Sequence, residues 1–280
     1  MAVDDIRTAD GQQFWQLLKD MMNDGGLMTY RYLGRSVNTG HDDHTMKLRR
    51  DMRNPTGGLR AAPLAICAPH TGGFTDVESV PAPVTYQLHI IDPGHGVKKV
   101  EVIPSTIASG RTMGFGEARI VDADDHDRVI AVCSGSGIRL AVAPGEFQPI
   151  EPAADIPDTD ALPPLHEAFG CRRRADGRWE LPELDITTAS TSASLHLGPA
   201  QVLLEVAAEE LAVEAAGTDQ LQVEDWTVMF VARGSVGPFV VSGQAWSGAD
   251  GRTAVHLELR DEGKGDRVVT WGSAIYRTLG

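Results

Sequence analysis

Hydrophobic and polar positions along the first half of the chain predict helices followed by strands. Over residues 9–23, apolar side chains such as Phe14 and Leu18 fall on one helical face, which predicts an amphipathic helix. Residues 57–70 are small and apolar and predict a buried helix. Strand-like runs separated by glycine and aspartate clusters follow, as is typical of a meandering antiparallel sheet, over residues 84–91, 98–108, 111–122 and 128–140.

The same order of elements starts again after a segment rich in proline and acidic residues, 143–170. We interpret this segment as a linker between an N-terminal domain, residues 1–142, and a C-terminal domain, residues 171–280. In the second domain, residues 178–195 predict strand and turns, and the apolar run 198–216 predicts a long helix. Four strands are expected after it, over residues 221–232, 238–247, 252–261 and 267–278.

Two short motifs recur at nearly constant separation. Gly110-Arg111-Thr112 returns 141 positions later as Gly251-Arg252-Thr253, and Asp127-Arg128-Val129 returns 139 positions later as Asp266-Arg267-Val268. Two matches in the same order, inside the same pattern of elements, predict a duplicated domain. The alternative is a pair of unrelated β-hairpins that share common turn residues.

Composition narrows the class of protein. The chain has 280 residues, of which 42% are hydrophobic, and this is enough for two packed domains. Its net charge of −14 argues against a nucleic-acid partner, because such binding requires lysine and arginine to neutralise phosphates. The sequence has no run of about 18 apolar residues and no apolar N-terminal leader, so we expect no membrane partner and a cytoplasmic location.

The three cysteines, Cys67, Cys133 and Cys171, are odd in number and widely spaced. They form no CxxC motif, so neither a disulfide framework nor a metal site is expected.

The most informative chemistry lies at the start of the long helix in the second half. His196-Leu197-Gly198 precede the helical run, and Glu205 follows His196 by nine positions. Glu205 stands between Leu204 and Val206, where an unpaired carboxylate would be costly. This position favours a functional role, although the helix carries other glutamates and Glu205 could be one more of them.

This spacing resembles the hotdog thioesterase family, in particular the 4-hydroxybenzoyl-CoA and phenylacetate-pathway thioesterases. That family has His-Gly-Gly at the N-terminus of its central helix and an acid nine positions after the histidine. The resemblance implies an α+β fold, a tandem double hotdog in which each half is a long central helix wrapped by an antiparallel sheet. It also implies an acyl-CoA thioesterase. In the first half Thr56-Gly57-Gly58 takes the place of the motif and Ala65 that of the acid, so the first site is expected to be lost.

The chemistry of such a site can be stated in physical terms. A helix N-terminus has unpaired backbone N–H groups that can hold the oxyanion of a thioester under attack, and here these are the N–H groups of Leu197 and Gly198. Glu205 would act as a general base or as a nucleophile. His196 either contacts the substrate or is a plain helix-entry residue. Glu209, one turn later, either shares the face of Glu205 and raises its pKa or faces solvent.

The substrate expected from this reading is an acyl-CoA or acyl-carrier-protein thioester. CoA is then part of the substrate, and no separate cofactor is expected. Arg111 and Arg252, which recur in the repeat, are candidates for binding CoA, although a role in their hairpins is an equal alternative. The counterpart residues Gly57, Gly58 and Ala65 are expected to line the substrate site from the first half, and fused pairs could assemble into a homo-oligomer.

Two other functions stay open at this point. One is a non-hydrolytic acyl-thioester enzyme on the same fold, such as a hydratase or an acyltransferase-decarboxylase. The other is a non-catalytic acyl-CoA or lipid-binding protein.

Overall fold

A computed structural model describes most of the chain, and the helix Leu197–Ala216 packs against one large sheet. The described residues are 9–22, 27–29, 44–68, 79–142, 156–190 and 192–279. They include helices α1 (Gly11–Met22), α2 (Ala61–Cys67), α3 (Leu165–Ala168) and α4 (Leu197–Ala216). Among them, no helix is long and apolar enough to cross a membrane.

Eleven strands of the described residues form a single antiparallel sheet, in the order β1-β3-β4-β5-β2-β8-β11-β10-β9-β7-β6. In the first half of the chain the strands are β1 (Thr45–Lys47), β2 (Ser79–Ile90), β3 (Lys99–Ser109), β4 (Met113–Asp122) and β5 (Asp125–Val142). In the second half they are β6 (Arg172–Arg173), β7 (Trp179–Leu181), β8 (Leu221–Phe230), β9 (Phe239–Ser247), β10 (Arg252–Asp261) and β11 (Arg267–Thr278). The bounds of the eight long strands lie within a few residues of those predicted.

The two halves of the sheet have the same strand order. The order β1-β3-β4-β5-β2 in the first half is matched by β7-β9-β10-β11-β8 in the second, and β2 joins β8 at the centre. Backbone hydrogen bonds repeat as well: the N–H of Ile91 donates to Ile130, and the N–H of Val231 donates to Val269. These pairs are 140 and 139 positions apart, which agrees with the separation of the sequence repeats.

Before the two helices the separation changes to 136 positions. The isolated bridge between Arg53 and Leu59 corresponds to the bridge between Ala189 and Leu195. Helix α2 accordingly begins at Ala61 and α4 at Leu197, 136 positions later. The expected equivalence of Ala65 with Glu205 is therefore wrong. The structural counterpart of Ala65 is Gln201, because the stretch from the start of the helix to the equivalent strand end, Ile91 or Val231, is four residues shorter in the first half.

Helix α4 is the central helix of the second half, and the sequence explains both its burial and its end. Most of its residues between Gly198 and Ala212 are buried against β9, β10 and β11. It ends where Gly217 adopts a left-handed conformation, with φ 71°, as a glycine readily does after a helix.

The helix predicted over 57–70 is much shorter than expected. Helix α2 has seven residues, all buried, and it ends because Ala68 leaves helical geometry with φ −111° and ψ 53°. Pro63 fits within this helix because it lies in the first turn, where its missing N–H has no intrahelical partner to lose.

The part of the predicted linker that the structure describes, from residue 156 onwards, packs against the molecule. Phe169 is fully buried, and Leu165 and Ala168 of α3 are also in the core. Asp158 and Asp160 form ion pairs with Arg50. These contacts place α3 beside α4 and close to the site described next.

Candidate active site

A buried carboxylate from the second half lies against the start of a helix from the first half. The Oε1 atom of Glu205 accepts hydrogen bonds from the backbone N–H groups of Ala61, at 2.5 Å, and Ala62, at 3.0 Å. Glu205 is only 3% exposed. Glu205 thus links the second half of the chain to the start of α2 in the first half. The sequence repeat did not indicate this contact.

The start of α2 is suited to receive one carboxylate oxygen. N–H groups in the first turn of a helix have no intrahelical acceptor. In α2 the first two come from Ala61 and Ala62, and the third residue, Pro63, has none. The cap residue Arg60 makes no side-chain hydrogen bond to these groups. Glu205 therefore satisfies both N–H groups that begin this helix.

Burial sets the protonation of Glu205. Loss of hydration raises its pKa to about 8, and the neighbouring carboxylate of Glu209 adds to the increase. The guanidinium of Arg60 and the two N–H groups lower the pKa without offsetting burial. The carboxyl group is consequently mostly protonated at neutral pH and gains charge in the mildly alkaline range.

Arg60 and Glu209 form an ion pair beside this carboxyl group. The guanidinium donates to Glu209 Oε2 through Nη1 and to the carbonyl oxygen of Arg53 through Nε, at 3.0 Å. Burial alone would lower the pKa of Arg60, but the carboxylates of Glu209 and Glu205 outweigh it and keep the pKa above its usual value. Glu209 thus shares the helix face of Glu205. This agrees with one of the two alternatives expected for Glu209.

A small cavity opens beside Glu205. Its volume is about 10 Å³, roughly the room that one water molecule needs. Its walls come from the first half, from α3 and from α4, through Arg60, Leu165, His166, Val202, Glu205 and Val206. The cavity is smaller than most ligand pockets, so an acyl group would require the surrounding side chains to move.

His166 faces this cavity from α3 in a fixed orientation. Its ring packs edge-on against Trp179, with 5.1 Å between the ring centres, and Trp179 Nε1 donates to Glu210 Oε2 at 2.7 Å. Burial lowers the pKa of His166, which keeps its imidazole neutral at pH 7.

At the start of α4, one of the two N–H groups expected as oxyanion donors is already bonded. His196 caps this helix, and its Nδ1 atom accepts the N–H of Gly198 at 3.1 Å. The same ring nitrogen lies 3.0 Å from Thr29 Oγ1, and burial lowers the pKa of His196 to about 4. The N–H of Gly198 is therefore already bonded. Leu197 lies eight residues before Glu205, roughly 12 Å along the helix axis.

Two of the three residues expected to line the site from the first half, Gly57 and Gly58, lie in a turn before α2. The side-chain oxygen of Asn54 accepts the N–H of Gly58 at 3.0 Å, and the N–H of Gly57 donates to the carbonyl of Asn54, also at 3.0 Å. Both glycine N–H groups are thus used within the turn. Ala65 is buried in α2 and is not among the residues of the cavity wall.

The two arginines expected to bind CoA lie at hairpin ends rather than in the cavity wall. Arg111 is exposed in the turn between β3 and β4. Arg252 begins β10 and forms ion pairs with Asp250 at 2.9 Å and Glu224 at 3.5 Å. These carboxylates favour the structural alternative for Arg252, while its CoA-binding role stays a prediction.

Three residues of the site were not expected from the sequence: Arg60, Ala62 and His166. Ala61 belongs to the segment that was expected to line the Glu205 pocket, but its N–H group was not expected to bind the carboxylate. The N–H groups of two alanines have no residue-type signature, and His166 lies in the segment interpreted as a linker. Arg60 could have been found from the sequence. Aligning the two halves at a separation of 136 positions makes Arg60 equivalent to His196. That separation follows from Pro63 and Pro199, which are 136 positions apart and both lie in the first turn of their helices.

Comparison with known proteins identifies the fold. No family model and no curated protein matches the sequence. Solved structures do match: the tesB protein of Mycobacterium avium subsp. paratuberculosis is 14% identical, with a TM-score of 0.58, over 87% of this chain and 96% of that one. A putative thioesterase II from Thermobifida fusca is 16% identical, with a TM-score of 0.54, over 89% and 96%.

A third match carries the name of the fold. It is a conserved protein of unknown function with a hot dog fold from Alicyclobacillus acidocaldarius, 9% identical, with a TM-score of 0.55, over 90% of this chain and 98% of that one. At these identities the likeness concerns the fold. The chain therefore has the hotdog fold, and the fold prediction made from the sequence is confirmed at this level.

Proposed function

We propose that this protein is a thioester hydrolase that cleaves an acyl-CoA or acyl-carrier-protein thioester at Glu205. The observation that carries the proposal is the position of Glu205, a buried carboxyl group that faces a cavity between the two halves. Two matched structures, from Mycobacterium avium subsp. paratuberculosis and Thermobifida fusca, bear thioesterase-type names, which supports the same reaction class.

In its ionised form Glu205 acts as a general base on water or as a nucleophile on the thioester carbon. The hydrogen bonds from Ala61 and Ala62 hold Oε1 in place, which leaves Oε2 for the reaction. The pKa of about 8 makes the carboxylate a stronger base than an ordinary glutamate, although a smaller fraction is ionised at neutral pH.

Each half is proposed to be a hotdog domain, with the N-terminal domain at 1–142 and the C-terminal domain at 171–280. The repeated strand order supports this division. The reaction is assigned to one site per chain, because the position equivalent to Glu205 in the first half, at a separation of 136, is Pro69. CoA enters as part of the substrate.

Thiol release from a panel of short, aryl and long acyl-CoAs tests the proposal in the wild type, E205Q and E214Q. Glu214 is an exposed glutamate on the same helix and serves as the matched control. We expect E205Q to lose at least about 100-fold in kcat, as is typical when a catalytic base is removed, while E214Q stays near the wild type.

The outcomes separate the candidate functions. If the wild type hydrolyses a thioester and E205Q does so equally well, Glu205 is not the catalytic group. If the wild type hydrolyses none but binds acyl-CoA, the protein is a binding protein rather than an enzyme.

A further inference from the structure

The guanidinium of Arg60 uses two of its nitrogens in hydrogen bonds and leaves the third available beside Glu205. Its Nε atom bonds to the carbonyl of Arg53 and its Nη1 atom to Glu209, so two of its three nitrogens are fixed. The third, Nη2, has no hydrogen-bond partner among the residues that the structure describes. The side chain also forms part of the cavity wall next to Glu205.

Hydrolysis of a thioester requires a donor for the carbonyl oxygen, because negative charge develops there as the nucleophile attacks. Three backbone N–H groups near the site are already used: those of Ala61 and Ala62 donate to Glu205, and that of Gly198 donates to His196. Among the side chains of the cavity wall, the nitrogen donors are Arg60 and His166.

Charge distinguishes these two donors. Arg60 keeps its proton at every pH at which the protein is folded, and hydrogen bonds from a cation to a developing anion are about twice as strong as neutral ones. His166 is held neutral by burial and carries at most one ring N–H. A rigid guanidinium with two fixed nitrogens also requires little reorganisation during the reaction.

We infer that Arg60 is a catalytic residue of the proposed thioester hydrolysis and donates through Nη2 to the substrate carbonyl oxygen. This inference rests on the proposed function. It replaces the N–H groups of Leu197 and Gly198 with a side chain from the opposite half as the group that stabilises the oxyanion. One half of the chain then supplies the base, Glu205, and the other supplies the cation, Arg60.

The reaction balances without proton transfer from Arg60. Water adds to the carbonyl carbon and gives one proton to the Glu205 carboxylate, while the carbonyl oxygen becomes an oxyanion bonded to Arg60. The oxyanion then reforms the C=O bond, the C–S bond breaks, and the proton passes to the thiolate. The products are a carboxylic acid and a thiol.

The test measures kcat and KM for thiol release from an acyl-CoA that the wild type hydrolyses, in R60M, R60K and H166F. R173M is the matched control, because Arg173 pairs with Glu210, the residue after Glu209 on α4, outside the cavity wall. We expect R60M to lose about 100-fold or more in kcat with little change in KM. R60K should lose less, and R173M should stay near the wild type.

Two further measurements exclude a purely structural effect. R60M leaves Glu209 without its partner, so R60M/E209Q, which removes both charges, is measured as well, and every melting temperature is recorded. Addition of guanidinium chloride to R60A, at a concentration well below that which unfolds the protein, should restore part of kcat.

The inference is overturned if R60M and R60M/E209Q keep wild-type kcat, or if only KM changes. It is also overturned if guanidinium restores no activity to folded R60A, or if H166F is the only variant that loses kcat. These results leave the proposed function intact. A wild type that hydrolyses no thioester overturns the proposed function, and the inference with it.

Discussion

The N-termini of α2 and α4 occupy equivalent places in the two halves, yet they are satisfied in different ways. At α2 the first two N–H groups are held by Glu205, which belongs to the opposite half. At α4 the N–H of Gly198 is held by its own cap residue, His196. A duplicated fold can therefore have two similar helix starts that differ in function. Only one of them binds a carboxyl group from the other half of the chain.

A few residue differences produce this asymmetry. The cap residue is a cation, Arg60, before α2 and a neutral histidine, His196, before α4. Glu205 lies on the long helix α4, whereas the corresponding position after the short helix α2 is Pro69, which lies outside the described residues.

The largest effect on stability is expected from Glu205 itself. Its folded pKa of about 8 lies above its ordinary value of 4.5, so the folded chain binds this proton more tightly than the unfolded chain does. Folding stability from this group is therefore present below pH 4.5 and is lost as the pH rises to about 8.

Gln cannot lose a proton, so the stability of E205Q relative to the wild type should increase across this range, by roughly 5 kcal/mol at pH 9. Denaturant unfolding at pH 5, 7 and 9 measures the difference. A constant difference at all three pH values would show that the pKa of Glu205 is not raised.

Glu209 offers a smaller change at the same helix start. Its carboxylate raises the pKa of Glu205, and E209Q removes that repulsion while Arg60 keeps its charge. In the wild type kcat/KM should rise with pH through about 8 as Glu205 ionises. In E209Q this rise should move to lower pH, by about half a unit to one unit. A rise that stays in place or moves to higher pH would contradict the assignment of the titrating group.

The smallest effect is expected at the other helix start. H196A removes the side chain that caps α4 and should cost about 1 kcal/mol of stability, whereas H196N, with a side chain that caps helices well, should restore most of it. Because His196 lies about two turns before Glu205, thiol release by H196A should stay within a few-fold of the wild type. A loss of about 100-fold in a folded H196A would instead make His196 part of the catalytic site.

The sequence predicts the sheet well for a physical reason. Alternation of apolar and polar residues, interrupted by glycine and aspartate, reports directly on strands and turns, and β8 to β11 lie within two residues of their predicted bounds. Glu205 could also be found, because a carboxyl group between Leu204 and Val206 conflicts with its apolar surroundings.

The partners of Glu205 could not be predicted from the sequence. They are backbone N–H groups of Ala61 and Ala62, which any residue type can supply, and they come from 143 and 144 positions earlier in the chain. The separation of the sequence repeats also gave a wrong alignment of the two helices. The separation of 139 to 141 positions holds in the strands but shortens to 136 before the helices, so Ala65 was paired with Glu205 although its counterpart is Gln201.

Calorimetric titration tests most directly whether each chain has one acyl-thioester site, in the cavity beside Glu205. The ligand is a non-hydrolysable acyl-CoA analogue, titrated into the wild type and into E205Q so that binding is measured apart from turnover. We predict one molecule bound per chain in both proteins, because the start of α4 is closed by His196 and Thr29. A stoichiometry of two per chain would contradict the account, because it would show that both helix starts bind.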